Sequence, residues 1–225
     1  PNLIKKKQID QIFEIILKLF KSYYPELFKW LPKKIDSTIW KSEKFQNSII
    51  KARKLSKKKF SKIYETITLS VPLKNLMTSE NIMSAVEKYT KIKRENFICI
   101  HSCVRFDPPF DNRNILDWHT DDYPNIYNSN PIHGISVIVA LHNTKIKHGA
   151  PNFLLDSHKK KINQKVTNKK LNQSNNHEIN SKIINKFKRK IFEFKTGDIL
   201  MFPMRTIHKS GQNVSDEMRI SCLFR

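Results

Sequence analysis

Glycine, cysteine and long apolar runs are scarce in this chain of 225 residues. Its 3 cysteines, Cys99, Cys103 and Cys222, are too few and too odd in number for a disulfide framework. We therefore expect free thiols, with Cys99 and Cys103 buried in an apolar strand, and a reducing, cytoplasmic location. No apolar run approaches the roughly 18–20 residues that span a bilayer, and Pro1 to Lys7 lacks the pattern of a secretory signal. We therefore expect no membrane span.

Acidic residues are also few relative to basic ones. The chain has 20 Asp and Glu against 42 Lys and Arg, a formal net charge of +22. Such a surplus is typical of proteins that bind nucleic acid or acidic membranes. However, it is nearly all lysine, spread beside abundant Asn and Ile, as an AT-rich coding sequence favours. Arginine, whose planar fork recognises phosphates and base edges, is scarce. The charge alone therefore leaves both a polyanionic partner and a compositional bias open.

Glycine and histidine are missing from the first hundred residues, since all 4 glycines and all 8 histidines come later. This division predicts one domain of the α+β class, residues 1–225, with residues 1–95 helical and residues 96–225 rich in strands and turns. Apolar residues recur at steps of three and four from Ile9 to Phe20, which predicts a helix. Residues 42–64 repeat the pattern after a break at Pro32. A third helix is expected to begin at Thr78 or Ser79, both good N-cap residues.

Short apolar segments separated by turn residues follow in the second part. The pattern predicts strands at residues 97–106, 134–141, 191–194, 199–202 and 218–224, with a tight turn at 195–198. Strands of this length and spacing indicate a sandwich or a barrel. Residues 159–190 are rich in Lys and Asn, so we interpret them as a solvated insertion rather than core.

An imidazole and a carboxylate lie two residues apart in Trp118-His119-Thr120-Asp121. On an extended strand, side chains at this spacing point to the same face, with their roots roughly 6–7 Å apart. The pair alone also fits a surface histidine beside a turn aspartate. A distant histidine would complete a facial triad with open coordination sites, as in non-haem iron(II) oxygenases. His208 is the candidate, because it follows an apolar strand and would lie at the end of a strand.

An arginine lies within the last apolar segment. Arg219 follows His208 by eleven residues, and Ser210 follows His208 by two. Burying an arginine is costly unless its charge meets an anion. A dicarboxylate cosubstrate, bound in bidentate fashion, is a natural partner for it.

These elements together resemble the phytanoyl-CoA dioxygenase family of Fe(II)/2-oxoglutarate oxygenases. The resemblance covers residues 97–225 and depends on Trp118-His119-Thr120-Asp121, Gly149, Ser157-His158-Lys159, Gly197-Asp198, His208-Lys209-Ser210, Asn213 and Arg219. It differs at Leu155-Asp156, where the family often has Pro-Gly, and near Ile138, where the family often has an aromatic residue.

The resemblance implies a double-stranded β-helix, a jelly-roll or cupin-like barrel, with the N-terminal helices packed on one face. It also implies that His119, Asp121 and His208 bind Fe(II), and that Arg219 and Ser210 hold the distal carboxylate of 2-oxoglutarate. Dioxygen would then be used to hydroxylate a small-molecule or acyl-type substrate, with release of succinate and CO2. Related halogenases lack a carboxylate where this chain has Asp121, so hydroxylation is favoured over halogenation.

Two other functions remain open at this stage. The chain also resembles AlkB-like enzymes, which dealkylate nucleic acids, in the run from Trp118 to Asp122, in the spacing from Arg219 to Arg225 and in its basic charge. A non-enzymatic basic barrel that binds polyanions would leave the His and Asp residues without a role. The oligomeric state is not indicated by the sequence.

Further charged residues have possible roles outside the predicted metal site. We expect Asp122 to face away from the metal, and His101, His133, His142, His148 and His158 to have packing or solvent roles. Candidates for meeting an anionic group of the substrate at the mouth of the site are Arg105, Arg113, Arg205 and Lys209.

Overall fold

Helices form the first part of the chain and antiparallel strands most of the second, as predicted. The computed structural model describes residues 3–32, 38–111, 115–121, 134–160, 162, 165–167 and 176–225. Asp122, Arg113 and His133 therefore lie outside the described residues. The helices of the first part are α1 (Lys6–Tyr23), α2 (Pro25–Phe28), α3 (Glu43–Leu55), α4 (Lys57–Thr68), α5 (Val71–Met77) and α6 (Glu80–Thr90).

The single helix predicted over residues 42–64 is in fact two helices, α3 and α4, which meet at Ser56. The backbone of Ser56 is extended, and its hydroxyl accepts a hydrogen bond from the N–H of Lys59 at 3.2 Å. Serine caps helices in this way because its side chain replaces a missing main-chain acceptor. The helix predicted to begin at Thr78 or Ser79 is confirmed, with Ser79 as the N-cap of α6.

The strands form two sheets and a separate hairpin. A four-stranded antiparallel sheet has the order β1-β9-β2-β7, a three-stranded sheet has the order β6-β3-β8, and β4 pairs with β5. Their bounds are β1 (Ser102–Asp107), β2 (Ile135–Ala140), β3 (Asn152–Leu154), β4 (Lys165–Thr167), β5 (Asn176–Glu178), β6 (Arg189–Ile191), β7 (Ile199–Pro203), β8 (His208–Lys209) and β9 (Arg219–Phe224). Two predicted strands are displaced, because residues 97–101 lie outside β1 and the strand predicted at 191–194 ends at Ile191.

The four-stranded sheet has one apolar face and one polar face, since successive side chains on a strand point to opposite sides. Val104 and Phe106 on β1 pack against the helices, and the Phe106 ring lies 6.0 Å from that of Phe20. The alternate residues of β1 include Arg105 and Asp107. The helices therefore cover one face of the sheet, and the polar residues are left on the face opposite them.

Part of residues 159–190 is folded against the core, although it was predicted to be solvated. The short helix α7 (Ser181–Ile184) follows β5. Ile179 and Ile184 are buried with Trp118, Leu154 and Ile207 in a second apolar cluster. Ile179 and Ile184 are isolated apolar residues among many lysines, so the sequence pattern did not indicate their burial. The prediction that residues 159–190 lie outside the core is therefore wrong for these two residues.

The free thiols are confirmed, but the expected burial of one of them is wrong. Cys103 and Cys222 are buried in the four-stranded sheet, whereas Cys99 is exposed because it precedes β1. Among the helices in the described ranges, none is both long and apolar enough to cross a bilayer.

Candidate metal centre

Main-chain hydrogen bonds hold His119 and His208 side by side. The N–H of each residue donates to the carbonyl oxygen of the other at 2.9 Å, and the imidazole centroids lie 4.2 Å apart. His208 belongs to β8, whereas His119 forms only this isolated bridge and no regular strand. The bridge between distant segments, rather than an extended strand, therefore brings the imidazoles together.

Asp121 completes a buried group of three donors. Its N–H donates to the carbonyl of Met204 at 2.8 Å, which fixes its main chain beside β7. Its carboxylate oxygens lie 3.9 Å from Nε2 of His119 and 3.8 Å from Nε2 of His208. One ligand atom from each of the three residues lies within 4.8 Å of the other two. Two imidazoles and one carboxylate at this separation form the donor set of a facial triad.

Both imidazoles are oriented with Nε2 available as a donor. Nδ1 of His119 lies 2.7 Å from the carbonyl oxygen of Asp117, and Nδ1 of His208 lies 2.9 Å from that of Thr206. A carbonyl can only accept a hydrogen bond, so each Nδ1 carries the proton and each neutral ring has its lone pair on Nε2. Ligand histidines in metalloproteins are fixed in the same way. The donors therefore fit a metal ion.

The charge state of the group also fits a cation. Burial lowers the pKa of His208, and the carboxylate of Asp121 opposes this effect only in part, so the ring is neutral near pH 7. Burial acts to raise the pKa of Asp121, but the nearby His208 and Arg225 hold it well below its usual range. Neutral histidine and ionised aspartate are the forms that bind metals.

Both oxygens of the Asp121 carboxylate have partners that the sequence did not indicate. Oδ1 accepts a short hydrogen bond from Nη2 of Arg225, and Oδ2 accepts one from the hydroxyl of Ser136 at 2.6 Å. Ser136 and Arg225 lie on or next to strands whose apolar residues dominate the sequence pattern. A basic residue directly after an apolar strand was the one signal that would have suggested Arg225.

Arg219 lies where it was predicted, but it already has an anionic partner. Its Nε and Nη2 donate to Oδ2 of Asp107 at 3.1 and 2.8 Å, and both side chains are buried. Arg105 donates to the other oxygen of Asp107 at 3.0 Å. Burial raises the pKa of Asp107, but the two guanidinium groups outweigh it and keep the carboxyl ionised. The carboxylate of Asp107 therefore accepts hydrogen bonds from both arginines.

A cavity joins Arg219 to the His and Asp group. Its lining includes Arg219, Ser210 and Lys209 together with the three donors. Arg105 also lines it, as expected for a residue near the site. The wall is completed by further residues, among them Ile138, Ala140, Phe194, Phe202, Ser221, Leu223 and Arg225.

Comparison with known proteins agrees with the interpretation drawn from the geometry of the site. The sequence profile described as phytanoyl-CoA dioxygenase (PhyH) matches residues 14–221. The chain belongs to the phytanoyl-CoA dioxygenase family. This membership confirms the resemblance found in the sequence. A comparison with curated protein sequences finds no match.

Several solved structures share the fold of this family member. The non-haem monooxygenase ThoJ in its apo form is 14% identical to this chain, with a TM-score of 0.58. The alignment covers 98% of this chain and 69% of ThoJ. The epimerase SnoN in complex with Fe3+, alpha-ketoglutarate and nogalamycin RO is 18% identical, with a TM-score of 0.53. AviO1 from Streptomyces viridochromogenes Tue57 is 14% identical, with a TM-score of 0.50. SnoN and AviO1 match 69% and 68% of this chain, which spans only 58% and 60% of their lengths.

The other predicted residues are not brought to the centre of this family member. Arg205 and His101 are exposed, and His158 is half-buried at the end of a short 3-10 turn. His142 and His148 lie together in a separate group, next to Glu217.

Proposed function

We propose that this chain is a hydroxylase in which His119, Asp121 and His208 bind Fe(II), while Arg219 and Ser210 bind the distal carboxylate of 2-oxoglutarate. The observation that carries the proposal is the orientation of both buried imidazoles, whose Nδ1 atoms face carbonyl groups and whose Nε2 atoms point towards the carboxylate of Asp121. When bound, iron and 2-oxoglutarate would activate dioxygen, one atom of which would convert a C–H bond into C–OH while the other enters succinate, with release of CO2.

The second half of the chain is proposed to be a double-stranded β-helix. Support comes from the two antiparallel sheets, since β8 and the bridge to His119 belong to one side while Ser136 and Arg219 come from the four-stranded sheet. Donors and cosubstrate residues then converge from both sheets on one interior. The helices α4 and α5 pack on the outside of β1.

The residues around Arg219 are suited to a dicarboxylate. Three basic residues, Arg105, Lys209 and Arg219, line the same cavity. A bound dianion would be attracted to them in a place where water screens charges weakly. The hydroxyl of Ser210 is available to donate a hydrogen bond to it. The chain's own residues would thus orient the cosubstrate between Arg219 and the iron ligands.

The substrate is proposed to be a small molecule with an apolar body. A second cavity of about 390 Å³ lies between α6, the segment before β1 and the edge of the sheet. It meets the first cavity at Arg225, which lines both, and its walls include Ile82, Val86, Ile135 and Phe224. Arg225 offers a contact for a polar or anionic group of such a molecule. Asp121 provides the carboxylate that related halogenases lack at this position, so hydroxylation is favoured over halogenation.

Anaerobic titration with Fe(II) and 2-oxoglutarate tests the proposed centre. We expect the weak visible charge-transfer band of an iron–2-oxoglutarate chelate in the wild type, and no band in His208→Ala. The half-buried His158 gives a matched control, His158→Ala, in which the band should persist. An unchanged band in His208→Ala would overturn the ligand assignment.

Arg219 is tested by the affinity for 2-oxoglutarate. In Arg219→Met we expect the Kd of 2-oxoglutarate to rise about 100-fold, the loss of roughly one charge-assisted pair, while Fe(II) still binds. Succinate release is then measured with a panel of small molecules and with methylated single-stranded DNA. Dealkylation of the DNA would favour the AlkB-like alternative over the proposed substrate class.

A further inference from the structure

Three side chains with metal-binding atoms lie together outside the centre described above. His142 follows β2, His148 ends the 3-10 turn Ile146–His148, and Glu217 precedes β9. Oε2 of Glu217 lies 3.0 Å from Nε2 of His142 and 3.3 Å from Nε2 of His148. Each residue offers a ligand atom within 4.8 Å of the other two. Three segments that are distant in sequence thus present two imidazoles and one carboxylate to one point.

The separations match a tetrahedral ion. Zinc binds histidine nitrogen and carboxylate oxygen at about 2.0–2.1 Å, so neighbouring ligand atoms around a tetrahedral ion lie about 3.3 Å apart. The two measured separations, 3.0 and 3.3 Å, are close to this value. Glu217 is partly exposed, so a water molecule can reach the fourth position.

Hydrogen bonding within the group does not account for all of its polar atoms. Nε2 of His148 and Nδ1 of His142 are buried and have no hydrogen-bond partner in the described part of the chain. The His148 side chain is only 4% exposed, and its Nε2 faces the Glu217 carboxylate. An unpaired polar atom at such depth costs free energy unless an ion or a partner meets it.

The charge and surroundings of the rings also suit a cation. Burial lowers the pKa of both His142 and His148, with Glu217 opposing the effect only in part, so both rings are neutral near pH 7. Nδ1 of His148 accepts the N–H of Lys145 at 3.0 Å, which leaves the ring proton on Nε2. Binding of an ion at Nε2 would move that proton to Nδ1, in place of the hydrogen bond from the N–H of Lys145.

We propose that His142, His148 and Glu217 form a second metal site, selective for Zn2+ and separate from the proposed iron centre. Two imidazoles and a carboxylate bind zinc more tightly than ferrous iron by the Irving–Williams order. The ion would join the loop after β2 to the loop before β9.

The second site adjoins the residues that hold Arg219. Glu217 precedes Arg219 by two residues, and Nδ2 of Asn213 donates both to the carbonyl of Glu217 at 2.7 Å and to that of Asp107 at 2.8 Å. Gly149 and Gly211 pack main chain against main chain here, because a Cβ at Gly149 would lie 2.5 Å from the carbonyl oxygen of Gly211. Zinc would therefore link two loops that are already in close contact.

Zinc binding is measured by calorimetric titration of a variant that lacks the first site, His119→Ala with Asp121→Ala. We expect one Zn2+ per chain, and a rise in the melting temperature when zinc is added. Adding His142→Gln or Glu217→Gln should weaken zinc at least about 10- to 100-fold, the range seen when partners of a metal site are lost. Both changes keep the side chain polar and similar in size, and circular dichroism checks that each variant is folded.

The control is His158→Gln in the same background, which should bind zinc as before. Cobalt(II) gives a second readout, since a tetrahedral site with bound Co2+ absorbs far more strongly in the visible range than an octahedral one. Fewer than one zinc per chain, or equal binding after His142→Gln, would overturn the proposal and identify the group as a purely hydrogen-bonded network. Neither result depends on oxygenase activity, so failure here leaves the proposed function standing.

Discussion

At the scale of single residues, the carboxylate of Asp121 has both of its oxygens occupied by the protein. Arg225 and Ser136 fix its rotation, and Arg225 also keeps it ionised despite burial. The main chain of Arg225 is itself held, because its N–H donates to the carbonyl of His101 at 2.9 Å. Arg225 is therefore placed as a positioning residue for the proposed iron ligand, although its charge also repels a cation.

Replacing Arg225 with Met tests which of these effects dominates. We expect the Kd of Fe(II) to rise about 10- to 100-fold, as for the loss of other residues that orient metal ligands. Arg225→Lys should restore part of the affinity, since it keeps the charge without the planar fork. The measurement is anaerobic Fe(II) titration, with the exposed Arg205→Met as the control. Tighter binding in Arg225→Met would show that repulsion outweighs orientation.

At the scale of elements, the register of β1 and β9 sets the cosubstrate end of the cavity. Asp107 pairs with Arg219 across the two strands, and Arg105 pairs with Ser221. A shift of one residue would turn these charges into the apolar layer beneath the helices. The ion pair between Asp107 and Arg219 and the apolar residues of β1 and β9 therefore require the same strand register.

Replacing Asp107 with Asn would remove the carboxylate to which Arg219 and Arg105 donate their hydrogen bonds. Breaking a buried pair in this way costs about 3 kcal/mol, so we expect a lower melting temperature. Because 2-oxoglutarate supplies two carboxylates, it should raise the melting temperature of Asp107→Asn more than that of the wild type. Thermal unfolding with and without the cosubstrate measures both effects.

Asp111→Asn is the matched control for this prediction. Asp111 also accepts two hydrogen bonds from one arginine, Arg53, but that pair lies away from the cavity. Its loss should lower stability without any change in the shift that 2-oxoglutarate causes. Equal shifts in both variants would show that the cosubstrate does not bind beside Arg219.

Sequence patterns predicted the elements better than the contacts between them. The steps of three and four in α1 and the apolar runs of β2, β7 and β9 reflect burial, which acts locally and leaves a periodic trace. The break between α3 and α4 occurs at Ser56, which caps α4 without a neighbouring proline or glycine. The apolar periodicity therefore did not reveal this break. Asp107 and Arg225 could not be assigned because their partners are fixed by strand register, which a single sequence does not reveal.

At the scale of the whole molecule, the chemistry lies in the second half and the apolar core is shared. The largest cluster of buried residues runs from the helices of the first half into β1, β2 and β9. The helices therefore stabilise the sheet that carries Asp107 and Arg219. The net charge of the whole chain is +22, and at the site two of the basic residues, Arg219 and Arg225, are paired with Asp107 and Asp121.

The buried histidines predict how stability depends on pH. Burial lowers the pKa of His142, His148 and His208. In the unfolded chain these residues have a pKa of about 6.5, so below this pH the unfolded state binds protons that the folded state does not. The free energy of unfolding should therefore fall as the pH drops below about 6.5, because the unfolded chain takes up protons there that the folded protein excludes.

Urea unfolding of the metal-free protein at several pH values measures this slope. In His208→Gln one of the three histidines that take up a proton on unfolding is removed, so the slope should become shallower. Asp107 and Asp121, whose pKa values are lowered, contribute their loss of stability only as the pH falls below about 3.9, the unfolded value for aspartate. A stability that rises towards pH 5 would contradict the neutral state of the rings, and with it the charge state that both proposed metal sites require.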